Sequence, residues 1–181
     1  FVIAPRLSTE LSRGQSSGES SYLIPMKKTI HPKVRIGHVH LSVADLERSL
    51  RFYRDLLGFE VTSWYGDSAV FLSAGGYHHN IGLNTWQGAG AFPPPKGHSG
   101  LYHFAILYPS RKELALALKK LMDAKYPISG SADHGVSEAI YLNDPDGIGI
   151  ELYADRPCEE WKVDNDGKVE MVTKPLNLDS L

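Results

Sequence analysis

Cysteine is almost absent: Cys158 is the only one among 181 residues. A lone thiol has no intrachain partner, which excludes an internal disulfide framework and fits a reducing compartment. No uninterrupted apolar run approaches the roughly 18 residues that a membrane-crossing helix needs. No short apolar core behind Lys or Arg marks a secretory signal either, so a cytoplasmic protein with no membrane partner is expected. Positive charge is not in excess. With 19 Lys and Arg against 21 Asp and Glu, a net charge of −2 and a pI near 6.5, nothing is left over to neutralise a phosphate backbone, and nucleic acid is not the expected partner. Small molecules are. The 42% of hydrophobic and 22% of charged residues are those of a chain that buries an ordinary core.

What is present divides into a leader and two similar halves. Residues 1–33 are expected to form a disordered leader: Ser8, Ser12, Ser16, Ser17, Ser20 and Ser21 with Gly14 and Gly18 show neither a strand nor a helix period. The basic Met26-Lys27-Lys28 is where the working protein is expected to begin, the leader being an upstream extension; Glu10 and Glu19 speak against a transit peptide. From Val34 to Val43 the chain alternates, with Val39, Leu41 and Val43 on one face and Ile36, His38, His40 and Ser42 on the other. Asp45 then caps a helix whose Leu46, Leu50, Tyr53 and Leu57 form one stripe and which Gly58 ends. Strands are expected at 60–64, 69–72 and 79–85, separated by Tyr65-Gly66-Asp67 and Gly75-Gly76. The Gly- and Pro-rich residues that follow read as a linker.

The pattern repeats: a strand over 101–108, a capping box at Ser110 and Glu113, a helix striped by Leu114, Leu118 and Leu121, and strands near Ile128, at 139–142 and at 148–153. Aligning the halves pairs His38 with His103 and Ile81-Gly82-Leu83 with Ile150-Glu151-Leu152. The expected organisation is a βαβββ module over 34–92, a linker at 93–99, a second module over 100–155 and a tail at 156–181.

Three residues then stand out. His103 shares a strand face with Ala105 and Leu107, opposite Tyr102, Phe104 and Ile106. Glu151 lies between Ile150 and Leu152, where a carboxylate is costly unless its charge is compensated, as a metal cation does. Singly, each has an ordinary explanation, since half-exposed strands carry polar residues outward. Two histidines at matched repeat positions with a glutamate closing the second repeat give a 2-His-1-carboxylate set, which suits non-haem Fe(II). His40 shares the face of His38, as a pocket residue or a polar filler. Strand parity turns His78 rather than His79 inward, barring a bulge. His134 reads as a loop residue and His31 as surface. Tyr102, Phe104 and Tyr108 read as core.

The run from His38-Val39-His40-Leu41-Ser42-Val43 through Asp45-Leu46, Ser49-Leu50-Arg51-Phe52-Tyr53 and Leu57-Gly58-Phe59 resembles the opening module of the vicinal oxygen chelate superfamily. With Asp144-Pro145-Asp146-Gly147-Ile148-Gly149-Ile150-Glu151-Leu152-Tyr153 closing the second module, the chain looks like the two-module catechol 2,3-dioxygenase group, from about Ile36 to the C-terminal Trp161 and Lys174-Pro175-Leu176. The resemblance implies an α+β fold in which two tandem modules form a partly closed mixed-sheet barrel around one metal site. It implies His38, His103 and Glu151 as ligands, the three that periodicity and repeat alignment also select. It further implies His79 as acid and base toward substrate and oxygen, Tyr141 as a hydrogen bonder near the substrate oxygens, and His134 as a supporting histidine.

The activity so implied is Fe(II)-dependent extradiol cleavage of a catechol-type aromatic diol by O2, in a homodimer or higher homo-oligomer, with Mn(II), Zn(II) or Ni(II) as alternative metals. Glyoxalase I, in the same superfamily, takes a fourth ligand from a glutamate at the position of Gly82, where this chain has no side chain. The rival functions are a metal-dependent lyase, isomerase or thiol transferase of the glyoxalase type, and a non-catalytic ligand-binding resistance protein. Fold alone does not choose among them.

Overall fold

The computed structural model describes residues 29–95 and 97–181. Residues 1–28, most of the expected leader, lie outside the described residues. The chain divides into two units, Phe1–Arg35 and Ile36–Leu181. In the described part of the first, a turn closes where the Val34 amide donates to the His31 carbonyl at 2.9 Å.

The second unit runs β1 (Val39–Ser42), α1 (Leu46–Leu50), β2 (Glu60–Tyr65), β3 (Ala69–Ser73), β4 (Ile81–Asn84), then β5 (His103–Tyr108), α2 (Arg111–Asp123), β6 (Ile128–Asp133), β7 (Ser137–Asn143) and β8 (Gly149–Asp155). This is βαβββ twice. Each repeat makes one four-stranded mixed sheet, in the orders β1-β4-β3-β2 and β5-β8-β7-β6. In both, the first strand pairs parallel to the last, which its helix crossover requires, and the other pairs are antiparallel.

The expected partly closed barrel is corrected by this topology. Among the described residues β1 pairs only with β4 and β5 only with β8, so the two sheets stay separate, each with a free edge. The expected first strand also shortens: pairing begins at Val39, and His38 stands just before it. His79, expected to open a strand, lies outside β4, which starts at Ile81.

Asp45 caps α1, its carboxylate accepting from the Arg48 amide at 2.8 Å. The helix then widens into a π-helical turn over Arg51–Leu56, marked by the Leu57 amide reaching back to the Phe52 carbonyl at 3.0 Å. That widening buries Phe52 beside Tyr53, although the 3.6 period had selected only Tyr53. Gly58 ends the segment at φ 92, a backbone angle suited to glycine. In α2 the predicted stripe is the buried one, Leu114, Leu118 and Leu121, and Ser110 accepts from the Glu113 amide.

These helices and the inner sheet faces share one core, joining Leu41, Leu50, Tyr53 and Leu83 of the first repeat to Leu114, Leu121, Ile140 and Leu152 of the second. Phe104 and Tyr108 pack against it, whereas Tyr102, read as core, is 90% exposed because it precedes the paired part of β5. The turn before β8 ties the repeats together. Asp146 accepts from the Ala44 amide at 3.1 Å and from the Arg48 guanidinium, and the buried Tyr53 hydroxyl donates to Asp144 at 2.8 Å. Asp144 in turn holds the amides of Asp146 and Ile148 at 2.9 and 2.8 Å. Burial is the main reason its carboxyl sits above the usual aspartate range.

Candidate active site

The two sheets carry the candidate residues on the faces turned away from the core. In the second repeat, Phe104 and Ile106 pack inward while Ala105 and Leu107 are exposed, the parity expected for His103. Glu151 sits in β8 between the fully buried Ile150 and Leu152. Its carboxylate lies 3.0 Å from His103 Nε2 through one oxygen, and its other oxygen accepts from the Tyr141 hydroxyl at 3.0 Å. Register explains the convergence, because Tyr141 and Ala105 both stand directly opposite Glu151 on the flanking strands.

His134 is brought to the same place. Its Nε2 lies 2.6 Å from the Tyr141 hydroxyl, and its Nδ1 donates to the Val172 carbonyl at 2.9 Å. The latter contact comes from the C-terminal tail, which adds a short antiparallel bridge at Asp133 and Lys174 beside β6. The tail thus orients the His134 ring. The Tyr141 phenol is pushed up to about 12 by burial first, then by the charge and hydrogen bond of Glu151. It therefore remains a hydrogen-bond donor across the neutral range. His103, Tyr141, His134 and Thr173 line one cavity, so the tail forms part of its wall.

The first repeat holds a histidine cluster. The His38 and His79 rings are 4.4 Å apart between centroids, and His79 is 5.0 Å from Phe71. His78 lies behind, its ring against Tyr77 at 4.0 Å, with its Nδ1 2.7 Å from that of His79. His79, rather than the His78 favoured by strand parity, therefore stands beside His38, because the segment before β4 is not strand. Burial first, then the neighbouring His38, His78 and His40, pull the His79 imidazole below the usual histidine value. His40 is lowered too, by burial and then by His38.

The structure thus pairs His103 with Glu151 and places His38 with His79. Among the described residues, no three His, Cys, Asp or Glu side chains converge in a group able to hold a metal ion. The chemistry of the donors still suits one: an imidazole nitrogen and a carboxylate oxygen face each other at 3.0 Å with the rest of the carboxylate held by a phenol. His38 lines a groove together with the β5 residues from Phe104 to Leu107, next to His103 in sequence.

Two contributors escaped the sequence. Trp86, just past the last strand expected in the first module, lies 5.4 Å from the His40 ring and is fixed by its indole N–H donating to Ser68 at 3.1 Å. The Val172 carbonyl that orients His134 is a backbone group, which no residue pattern reports.

The model of the glyoxalase/bleomycin resistance protein/dioxygenase superfamily matches residues 35–152. The chain belongs to that superfamily. It is 43% identical over 153 residues to catechol-2,3-dioxygenase of Bacillus subtilis (strain 168), covering 84% of this chain and 53% of that protein. It is 29% identical over 121 residues to biphenyl-2,3-diol 1,2-dioxygenase 3 of Rhodococcus globerulus, covering 67% and 63%. The iron-dependent extradiol dioxygenase of Rhodococcus jostii (strain RHA1) matches at 28% over 151 residues, with 49% of its length covered. The chain therefore spans about half to just under two thirds of these relatives. Among solved structures, a glyoxalase/dioxygenase from Nostoc punctiforme has a TM-score of 0.59 at 19% identity over 71% of this chain and 97% of that one. A glyoxylase/bleomycin resistance protein/dioxygenase domain from Frankia sp. EAN1pec gives 0.57 at 24% identity over 68% and 98%. These two likenesses concern the fold.

Proposed function

We propose that this chain is the metal-bearing part of an extradiol ring-cleaving dioxygenase, taking a catechol-type aromatic diol and O2, with Fe(II) held by His38, His103 and Glu151. The observation that carries the reading is the paired His103 and Glu151 with Tyr141 and His134 stacked behind the carboxylate. The named activities of its relatives support the same class. Mn(II) is the alternative metal, ahead of Zn(II) and Ni(II).

Iron, when bound, supplies the redox and Lewis-acid centre at which a diol and dioxygen meet. The protein's own groups do the rest. His79, beside His38, is the group that takes a proton from one substrate hydroxyl and returns it during ring opening. The single Tyr141 hydroxyl proton goes to Glu151, to His134 Nε2 or to a substrate oxygen, one at a time, and the carboxylate and imidazole between them fix where that hydroxyl stands. Phe71, beside His79, gives the ring an apolar surface.

The glyoxalase-type alternative wants a carboxylate where β4 carries Gly82. We place the activity in the cytoplasm, in a homodimer or larger homo-oligomer whose second copy is available to shape the site. Among the described residues no helix is long and apolar enough to cross a membrane.

The test is oxygen uptake by the anaerobically iron-loaded chain on adding catechol, with appearance of a yellow ring-opened product. His79→Ala is expected to keep its iron but to slow turnover by about a hundredfold or more. Unchanged turnover removes His79 from the chemistry, and an iron-loaded chain that consumes no oxygen with any catechol contradicts the proposal.

A further inference from the structure

The two repeats carry the same three-strand row on their open faces, filled in opposite ways. In the second repeat, Ala105, Glu151 and Tyr141 stand side by side on β5, β8 and β7. In the first, the corresponding row on β1, β4 and β3 is His40, Gly82 and Phe71. Where the second repeat has a small residue beside a long carboxylate, the first has a large imidazole beside no side chain.

The imidazole uses that space. A Cβ added at Gly82 would fall 2.9 Å from His40 Cδ2, 3.0 Å from Cγ and 3.1 Å from Nε2, closer than packed atoms stand. His40 thus lies with the face of its ring over the Gly82 backbone, in ring contact with Trp86 at 5.4 Å and with Phe71 at 5.8 Å. Neither of its ring nitrogens has a hydrogen-bond partner among the described residues. Phe71 is also in ring contact with His79, at 5.0 Å. A flat ring seated on Phe71 with its diol edge at His79 is therefore within reach of the unpartnered nitrogens of His40.

We propose that His40 is a specificity-determining residue, hydrogen-bonding a polar ring substituent of the catechol, and that Gly82 is present to let the His40 ring lie down. This rests on the extradiol reading and deepens it: the favoured substrate is a catechol with a hydrogen-bonding substituent. It also means that a glutamate at residue 82 cannot be introduced while His40 stays in place.

The test uses the iron-loaded chain under anaerobic conditions, titrated calorimetrically with catechol and with its 3- and 4-hydroxymethyl derivatives. The wild type is expected to bind one derivative about tenfold more tightly than catechol, the worth of one good hydrogen bond, with a shift of the His40 ring nitrogen resonances. In His40→Phe the ratio falls to near one. In Gly82→Ala, which displaces the ring while leaving both nitrogens chemically unchanged, it falls likewise, and the double variant is no worse than His40→Phe alone. Iron content and melting temperature of each variant report that it is folded and loaded. A wild type that binds neither derivative better than catechol, or variants that keep the preference, overturns the proposal and leaves the catechol reading standing. An iron-loaded wild type that binds no catechol overturns both.

Discussion

Tyr53 donates to Asp144 from a fully buried position, so it joins a helix of the first repeat to the turn that launches β8. Tyr53→Phe keeps the ring and removes the donor, leaving a buried carboxylate oxygen without its partner. A loss of about 1–3 kcal/mol in urea unfolding is expected, and a loss near zero would show that Asp144 is satisfied by its backbone amides alone. Tyr126, whose hydroxyl donates to the Asn143 carbonyl at 2.8 Å, is raised from 10.0 to about 12 by burial and then by Asp144. Tyr53 is raised well above the same starting value, again chiefly by burial. A value raised in the folded state means a stabilising contribution that is complete below pH 10 and is lost as pH rises through about 12. Tyrosinate absorbance should therefore show a late-titrating class that ionises only as the fold opens. All nine tyrosines titrating together near the ordinary value would contradict this.

At the scale of elements, the C-terminal tail acts as an addition to the second sheet. It pairs at Lys174 with Asp133, takes the Ser131 hydroxyl on the Leu176 carbonyl at 3.0 Å, and ends where Arg111 donates to the Ser180 and Leu181 carbonyls at 2.7 and 3.1 Å. Deleting residues 172–181 removes the acceptor that fixes His134. The His134 ring is then expected to populate both tautomers, read from its ring nitrogen shifts, while the far-ultraviolet spectrum keeps its sheet signal; a single unchanged tautomer would assign the orientation to Tyr141 instead. Little of this device was legible beforehand, because it consists of backbone carbonyls. What was legible rested on period: the alternation around His103, the stripe of α2 and the Asp45 cap all follow from local geometry. Strand parity favoured His78 where the resemblance gave His79, and it is His79 that stands beside His38, since parity has no meaning in the unpaired segment before Ile81. The free edges of β1 and β5 likewise depend on how the two sheets meet, which no local pattern encodes.

For the whole molecule, duplication is the organising fact. Equal register in the two repeats, His40 opposite Gly82 and Ala105 opposite Glu151, makes His38 the counterpart of His103, as the sequence alignment of the halves had it. One repeat holds His38 beside His79, the other His103 beside Glu151 with Tyr141 and His134 next to the carboxylate. The Asp146 contacts to Ala44 and Arg48 hold the repeats together, and His38 and β5 residues line one groove. In the proposed centre one iron joins residues from both repeats. Iron content after anaerobic loading and desalting of the wild type and of the His38→Ala, His103→Ala, Glu151→Ala and His79→Ala chains decides the matter. One iron per chain is expected in the wild type and in His79→Ala, and its loss from the other three. A wild type without iron, or iron retained when His38, His103 or Glu151 is removed, would contradict the proposed centre.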